Sequence, residues 1–447
     1  MSRPVHRQSL CRWWYLTGLC VAGFLCAPVH GQSTATDRPD STTTVIDSVA
    51  QPRRQRLGVG AAGQTVGAVR WMSKRRQVRL RGRDYGATGL PIIYYSPSSG
   101  WNRGGRLQLA DYSRRPYRYK FTFHSVNSTE GKQTNYFRLK VPHISGTGWG
   151  IQLRLSSHRD LRARYYGLSN DSELNEDFTN PNHVDFRDED YYYYVLEQPS
   201  ALLRLVRAIS GPVSLSVGLG LERNDVSQAG ERSYYDDIGT PDDLVDGVSG
   251  FVSFTLVWDT RDDPTIPRDG HFVEWSYETS RNSLLGLFFE EIDFQRHTFT
   301  DARYWPIGGR LNIAHRTIFE AIKGAVPLFA YGEFGGSLRV KGLGGSDTLR
   351  GFDRQRFTDN IRLATNTEAR YHLGSRRFLK QFFELHGIGF LDTGQVSPGI
   401  GGLNPRDTHV TAGVGLRTYW NADFVLRAEL GVSAEQIYTS FKYRNLF

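Results

Sequence analysis

The feature that most limits what this chain can fold into is a period-two alternation of apolar and polar residues through its C-terminal half. In 361–373, Ile361, Leu363, Ala369, Tyr371 and Leu373 fall on one face with Thr365 and Thr367, while Arg362, Asn366, Glu368, Arg370 and His372 fall on the other. A helix would repeat every 3.6 residues, so this is a strand. The same pattern recurs in 271–280, 294–306, 311–321, 382–395, 410–420, 424–433 and 437–447. The N-terminal half gives eight blurrier segments: 90–96, 105–112, 117–126, 133–141, 149–166, 190–206, 213–223 and 250–259. The total is sixteen strands, with fourteen as the alternative count.

One alternating strand suits a soluble sandwich as well as a membrane barrel. Composition weighs between them. Hydrophobic content is 39%, yet there are 23 Tyr, 25 Phe and 9 Trp. Low hydropathy with many aromatics fits a transmembrane β-barrel, whose lumen is polar and whose rims carry aromatic girdles, although a secreted sandwich or propeller shares the composition. After the first residues no apolar run is long enough for a helical span. Connections alternate short (306–309, 374–380, 421–423) and long (325–360, 397–408), as barrels with tight periplasmic turns require. The reading is an all-β, antiparallel transmembrane barrel over 89–447 in a bacterial outer membrane. Phe447 ends the last alternating segment on the face of Phe441 and Tyr443, the usual C-terminal assembly signal of such barrels.

Residues 1–31 read as a signal peptide: Arg3, Arg7 and Arg12 precede an apolar run from Trp13 to Ala27. Cys11, Cys20 and Cys26 all lie within it, so the exported chain has no cysteine for disulfides or thiolate metal sites. Residues 32–88 read as a flexible, basic periplasmic segment, with ten Lys and Arg and no acid over 53–83. A solvated linker is the plain interpretation; contact with anionic headgroups, peptidoglycan or a partner is the sharper one. The formal net charge of +9 points to a cationic lumen or lipopolysaccharide-facing loops rather than to nucleic acid, which an exported protein rarely meets.

Two local motifs stand out. Asp259, Arg261, Asp262, Pro267 and Gly270 form a turn between strands, in which proline fixes φ, glycine frees it and aspartates cap amides. Leu349, Arg350, Gly351 and Phe352 place an arginine on a glycine-flanked stretch of the longest loop, while parity puts Glu368 and Asp392 on inward faces. That pattern suggests a loop folded into a barrel. With Phe390–Gly394 and Gly413–Arg417 added, the order and spacing over 250–447 resemble the bacterial surface-antigen superfamily of outer-membrane barrels, the BamA/TamA-like group. A weaker echo, Leu90–Gly100 and Tyr165–Asn170, resembles its stand-alone members, which lack periplasmic POTRA domains.

The resemblance implies sixteen strands and a sixth outer loop tucked into the lumen, with Arg350 locked onto Glu368 and Asp392. It implies a role in outer-membrane biogenesis or in protein or lipid insertion; the alternative is a small-solute or lipid transport channel. Expected partners are outer-membrane lipids and lipopolysaccharide, and the cell's barrel-assembly machinery during biogenesis; the sequence identifies no client. No cofactor, metal or catalytic residue is expected, and the chain is not read as an enzyme. His124-Ser125 and Ser157-His158 are adjacent pairs whose members face opposite ways along a strand. His372 and His386 read as lumen network members. Tyr191–Tyr194 read as an interface girdle.

Overall fold

The computed structural model describes residues 76–447 except 97–98, 115–116, 146, 173, 238–246, 265, 281–293, 379–380, 421–423 and 444–445. The signal at 1–31 and the basic residues before 76 lie outside the described residues.

A short strand, β1 (Arg76–Leu80), turns through Arg81 and Gly82 into β2 (Arg83–Ser96). There follow β3 (Gly100–Asp111), β4 (Tyr119–Ser128), β5 (Gln133–Val141), β6 (Trp149–Arg164), β7 (Tyr193–Ser210), β8 (Val213–Gln228) and β9 (Gly247–Asp259). The second half contains β10 (Gly270–Thr279), β11 (Phe294–Ile307), β12 (Leu311–Gly324), β13 (Ile361–Phe378) and β14 (Gln381–Ser397). It ends with β15 (His409–Trp420), β16 (Phe424–Val432) and β17 (Ile437–Lys442). All belong to one antiparallel sheet of 17 strands. From β2 to β17 each strand pairs with its successor in sequence, and β17 lies beside β2. The sixteen strands of the sequence reading are therefore present as β2–β17.

Strand structure begins earlier than expected. Residues 76–88, read as part of a flexible segment, form β1 and the start of β2, with Arg76 opposite Ala87 and Leu80 opposite Arg83. Arg81 (φ 50°) and Gly82 (φ 74°) supply the two positive φ angles of a tight hairpin.

The two faces of the sheet are inverted relative to a soluble domain. Arg316, Arg350, Arg362, Arg417 and Arg427 are among the largest fully buried side chains, whereas Trp101, Leu155, Leu219, Trp275, Leu391 and Leu416 are exposed. Apolar side chains alternate outward and charged ones inward along the same strands, which is the arrangement of a barrel facing lipid. No described helix is long and apolar enough to cross a membrane. The described loop 325–360 lies at one end of the barrel and the turns at 211–212 and 308–310 lie at the other.

Two further expectations are corrected. Tyr191, Tyr192 and Tyr194 are buried, and Tyr191 and Tyr192 pack with Tyr166 beneath the outer loops rather than forming a girdle. The last strand stops at Lys442. Phe441 remains exposed on the apolar face, but Leu446 and Phe447 are buried against Phe272, Ala302, Tyr304 and Ala314. Simple alternation placed Phe447 outside; the chain leaves the sheet before reaching it.

Candidate functional site: the lumen loop and the strand seam

The loop between β12 and β13 runs through the lumen and is held by the walls it crosses. Its turn is built locally: Thr348 Oγ1 accepts from the Gly344 amide at 2.9 Å and donates to the Gly342 carbonyl at 3.0 Å. Leu349 and Phe352 are pinned by an apolar cluster that includes Ile318, Phe334, Leu343, Phe357 and Val396. That packing fixes the direction in which Arg350 points.

Arg350 is 1% exposed and grips Asp392 with two parallel bonds, Nε to Oδ2 at 2.8 Å and Nη2 to Oδ1 at 2.7 Å. Its Nη1 reaches Glu368 at 2.7 Å and Glu429 at 3.1 Å, and its guanidinium lies 3.6 Å from the centre of the Phe390 ring. The structure thus brings together Arg350, Glu368 and Asp392 as parity and the resemblance paired them. It adds Glu429 of β16, which lies in the alternating segment 424–433 and is not among the expected partners.

The carboxylates are shared. Arg417 donates twice to Glu368, at 2.9 and 2.8 Å, and Arg370 donates to it at 2.7 Å. Bidentate charge-assisted bonds of this kind are strong, and several partners are needed to offset the cost of burying each ion. The backbone approach is equally tight. A Cβ on Gly431 would stand 2.2 Å from the Arg350 carbonyl oxygen, so β16 accommodates the loop only with glycine there.

The rest of the loop is tied to other strands. Glu320 accepts from the Gly335 amide at 2.6 Å and pairs with Arg362, and Glu274 accepts from the Ser337 amide at 2.7 Å. Toward the opposite wall, Asp353 pairs with Arg164 and Arg354 with Asp160 at 2.5 Å. Burial raises the Asp353 carboxyl, but the Arg164 guanidinium and hydrogen bonds overcome it and hold Asp353 below the usual carboxylate range. The Tyr165–Asn170 motif also acquires a role. Asn170 Oδ1 accepts from the Val396 amide at 2.9 Å and its Nδ2 donates to the Asp407 carbonyl at 2.8 Å, stitching neighbouring outer loops together.

The turn motif between β9 and β10 is self-satisfied. Arg261 binds Asp259 with two 2.8 Å bonds, and Asp262 Oδ1 accepts from the amides of Asp263, Arg268 and Asp269. Gly270 has φ +100°, and a Cβ there would meet the Thr260 carbonyl oxygen at 2.4 Å. Arg370 reaches the Pro267 carbonyl at 3.4 Å, linking the turn to the lock cluster.

The C-terminus closes this network from below. Arg316 donates to the Leu446 carbonyl at 3.1 Å and to the Asp347 carbonyl at 2.6 Å, while its guanidinium lies 4.9 Å from the Phe447 ring centre. Arg370 stands 5.0 Å from the same ring.

Between β17 and β2 the sheet is most sparsely joined. The described contacts there include Tyr443 Oη donating to the Ile93 carbonyl at 2.9 Å, the rings of Phe441 and Tyr443 against Tyr94 at 6.4 and 5.7 Å, and Leu90 in an apolar cluster with Tyr443 and Trp420. β1 covers β2 only over Arg83–Ala87. Pro91 contributes no amide hydrogen in the middle of β2, a residue tolerated in sheets mainly at edges.

Of the histidine pairs, His124 stacks on Tyr136 at 4.6 Å, whereas Ser125 bonds Asn135 on the other face. His372, His386 and Glu384 stand close enough to hold a metal ion, but Glu384 is already engaged by Arg268 at 2.5 Å.

An antiparallel barrel with an inverted surface, a lumen-crossing loop locked by a buried arginine and a weak terminal seam defines a class of outer-membrane barrel. The chain belongs to the Omp85 superfamily, whose domain matches residues 125–431. BamA from Haemophilus ducreyi lacking POTRA domains 1-3 is similar in structure, at 11% identity and a TM-score of 0.50, over 88% of this chain and 79% of that one. CdiB from Escherichia coli is similar at 11% identity and a TM-score of 0.52, over 86% of this chain and 69% of that one. At such identities the likeness concerns the fold. No curated protein matches the chain.

Proposed function

We propose that this protein is an outer-membrane barrel of membrane biogenesis, which exposes the β2–β17 seam to the bilayer so that a protein or lipid segment can insert beside it. The observation that carries this reading is the contrast between the seam and the other strand interfaces. Aligned pairing runs through every step from β2 to β17, whereas the described seam contacts are side-chain ones: a tyrosine hydrogen bond, aromatic packing and the Leu90 apolar cluster. An unpaired strand edge is a template for another chain. The Arg350 cluster serves as the fixed jamb: it ties β13, β14 and β16 to the lumen loop, so movement concentrates at the seam. Outer-membrane lipids and lipopolysaccharide would be its surroundings, and the barrel-assembly machinery its partner during its own biogenesis.

The test is a covalent closure of the seam. Ile93→Cys and Tyr443→Cys, in a chain whose own cysteines all precede residue 27, are bridged with a short bis-thiol reagent. Bridging should stop insertion of outer-membrane proteins into vesicles, and reduction of a cleavable bridge should restore it. Full activity in the bridged protein would rule out the seam.

A second reading, a small-solute or lipid transport channel, is favoured by one observation: a lumen cavity of about 740 Å³. If solute passes there, freeing the loop with Arg350→Ala raises conductance across a planar bilayer.

A further inference from the structure

The cavity has an unusual wall. On β3–β7 its inward side chains include Arg106, Arg138, Lys140, Arg154 and Arg204. The register sets like charges directly opposite one another: Lys120 faces Lys140, and Arg138 faces Arg154. Gln152 separates Lys140 from Arg204 in the same row. Facing like charges destabilise a sheet unless something stands between them.

Little of that counter-charge lies close by: Glu278 and Glu274 act on Arg204, and Glu333 on Arg154, from beyond ion-pair distance. Arg106, Lys140, Arg154 and Arg204 make no ion pair among the described residues. The Nε atoms of Arg106, Arg154 and Arg204 are buried without a hydrogen-bond partner. Arg204 is 4% exposed, and its one described bond goes to the Gly336 carbonyl at 2.9 Å. The cations acting on Lys140 are Arg138, Lys120, Arg204 and Arg106. Four acids also line the cavity, but three are committed elsewhere: Glu333 to Lys341, Asp353 to Arg164 and Asp347 to Arg427. Glu222 faces Ser200, and the cation acting on it most strongly is Arg339 of the lumen loop.

We propose that this wall is a binding site for a phosphate-bearing anion. Several cations converge on one cavity, so the ligand must carry more than one negative charge in a compact group. The guanidinium fork matches phosphate oxygens, and unpaired Nε–H groups are donors awaiting them. Tyr136, stacked on His124, lies 5.4 Å from Arg138 and 5.7 Å from Arg154 and helps hold the two guanidinium groups in place. The cavity volume suits a small organic ligand. Occupancy is independent of whether the seam opens or solute crosses.

The phosphate can come from a soluble molecule or from a lipid headgroup, and titration calorimetry on the purified barrel in neutral detergent separates them. The probes are inorganic pyrophosphate and dihexanoyl phosphatidic acid, with dihexanoyl phosphatidylcholine as control, each at low and high salt. Saturable binding at one site, weakened by salt, is expected. Binding of pyrophosphate alone identifies a soluble phosphate; binding of phosphatidic acid alone identifies a headgroup. Arg154→Gln and Lys140→Gln should each weaken binding about tenfold or more, while the barrel keeps its heat-modifiable gel mobility. Arg159→Gln, which removes a solvent-facing pair with Glu197, should leave binding unchanged. Absence of saturable binding by either phosphate probe, or equal binding by the lumen variants with their fold intact, would overturn the proposal.

Discussion

The two sides of the lumen handle buried charge in opposite ways. On β13–β16, Arg370 and Arg417 reach the same carboxylate that Arg350 uses, and Arg362 pairs with Glu320 on β12. On β3–β7, arginine faces arginine and lysine faces lysine. Both walls show the same inward parity and similar residue types. What differs is whether acids stand at ion-pair distance, since both walls keep some buried arginine nitrogens without partners. A wall of close ion pairs is a support; under the anion proposal, a wall whose cations lack them receives its acid from outside.

The comparison breaks most readily at Arg350. Replacing it with alanine strands Asp392, whose one described ion pair is with Arg350, and takes one of several cations from Glu368 and Glu429, at a cost of about 3–5 kcal/mol. The expected outcome is a lower unfolding midpoint and protease cleavage within 325–360; an intact, protected loop would show that the paired wall is not a support. Phe447→Ala comes next. It empties a buried site against Tyr304 and removes the ring beside Arg316 and Arg370, costing about 3 kcal/mol. Denaturant unfolding in vesicles measures it, and an unchanged midpoint would separate the C-terminus from the lock. The smallest effect is expected on the opposite wall. Arg154→Gln, without ligand, should change stability by no more than about 0.5 kcal/mol or raise it, because it relieves a facing like-charge pair. A loss comparable to that at Arg350 would erase the contrast.

The barrel and half of its lock were legible because both follow from parity. Alternation is local, so β10–β17 begin within a residue of where it placed them, although β13 runs on to Phe378 through an expected connection and β17 stops at Lys442, and it carried Glu368 and Asp392 to the lumen face. Glu429 shared that face, but its contact with Arg350 depends on how closely a loop crosses a curved wall, which no local pattern encodes. Gly431, where only glycine admits the Arg350 backbone, was the available clue. β1 left a fainter sign: Val78 and Leu80 alternate within a basic run and precede a glycine turn, a pattern masked by the surrounding arginines. The inward turn of Phe447 left none. Continued alternation would have put it outside, and its burial depends on a lumen formed by strands far away in sequence.

β1 has a kinetic meaning as well as a structural one. It occupies part of the edge of β2 that an incoming strand would use, and it is tethered there by two residues. Under the seam reading it is an intramolecular competitor, present at a high effective concentration that no free segment matches by mass action. Under that reading a guest strand would begin beyond Ala87, where only the sparse contacts of β17 stand in its way, and would gain the remainder of β2 only by exchanging with the host's own first strand.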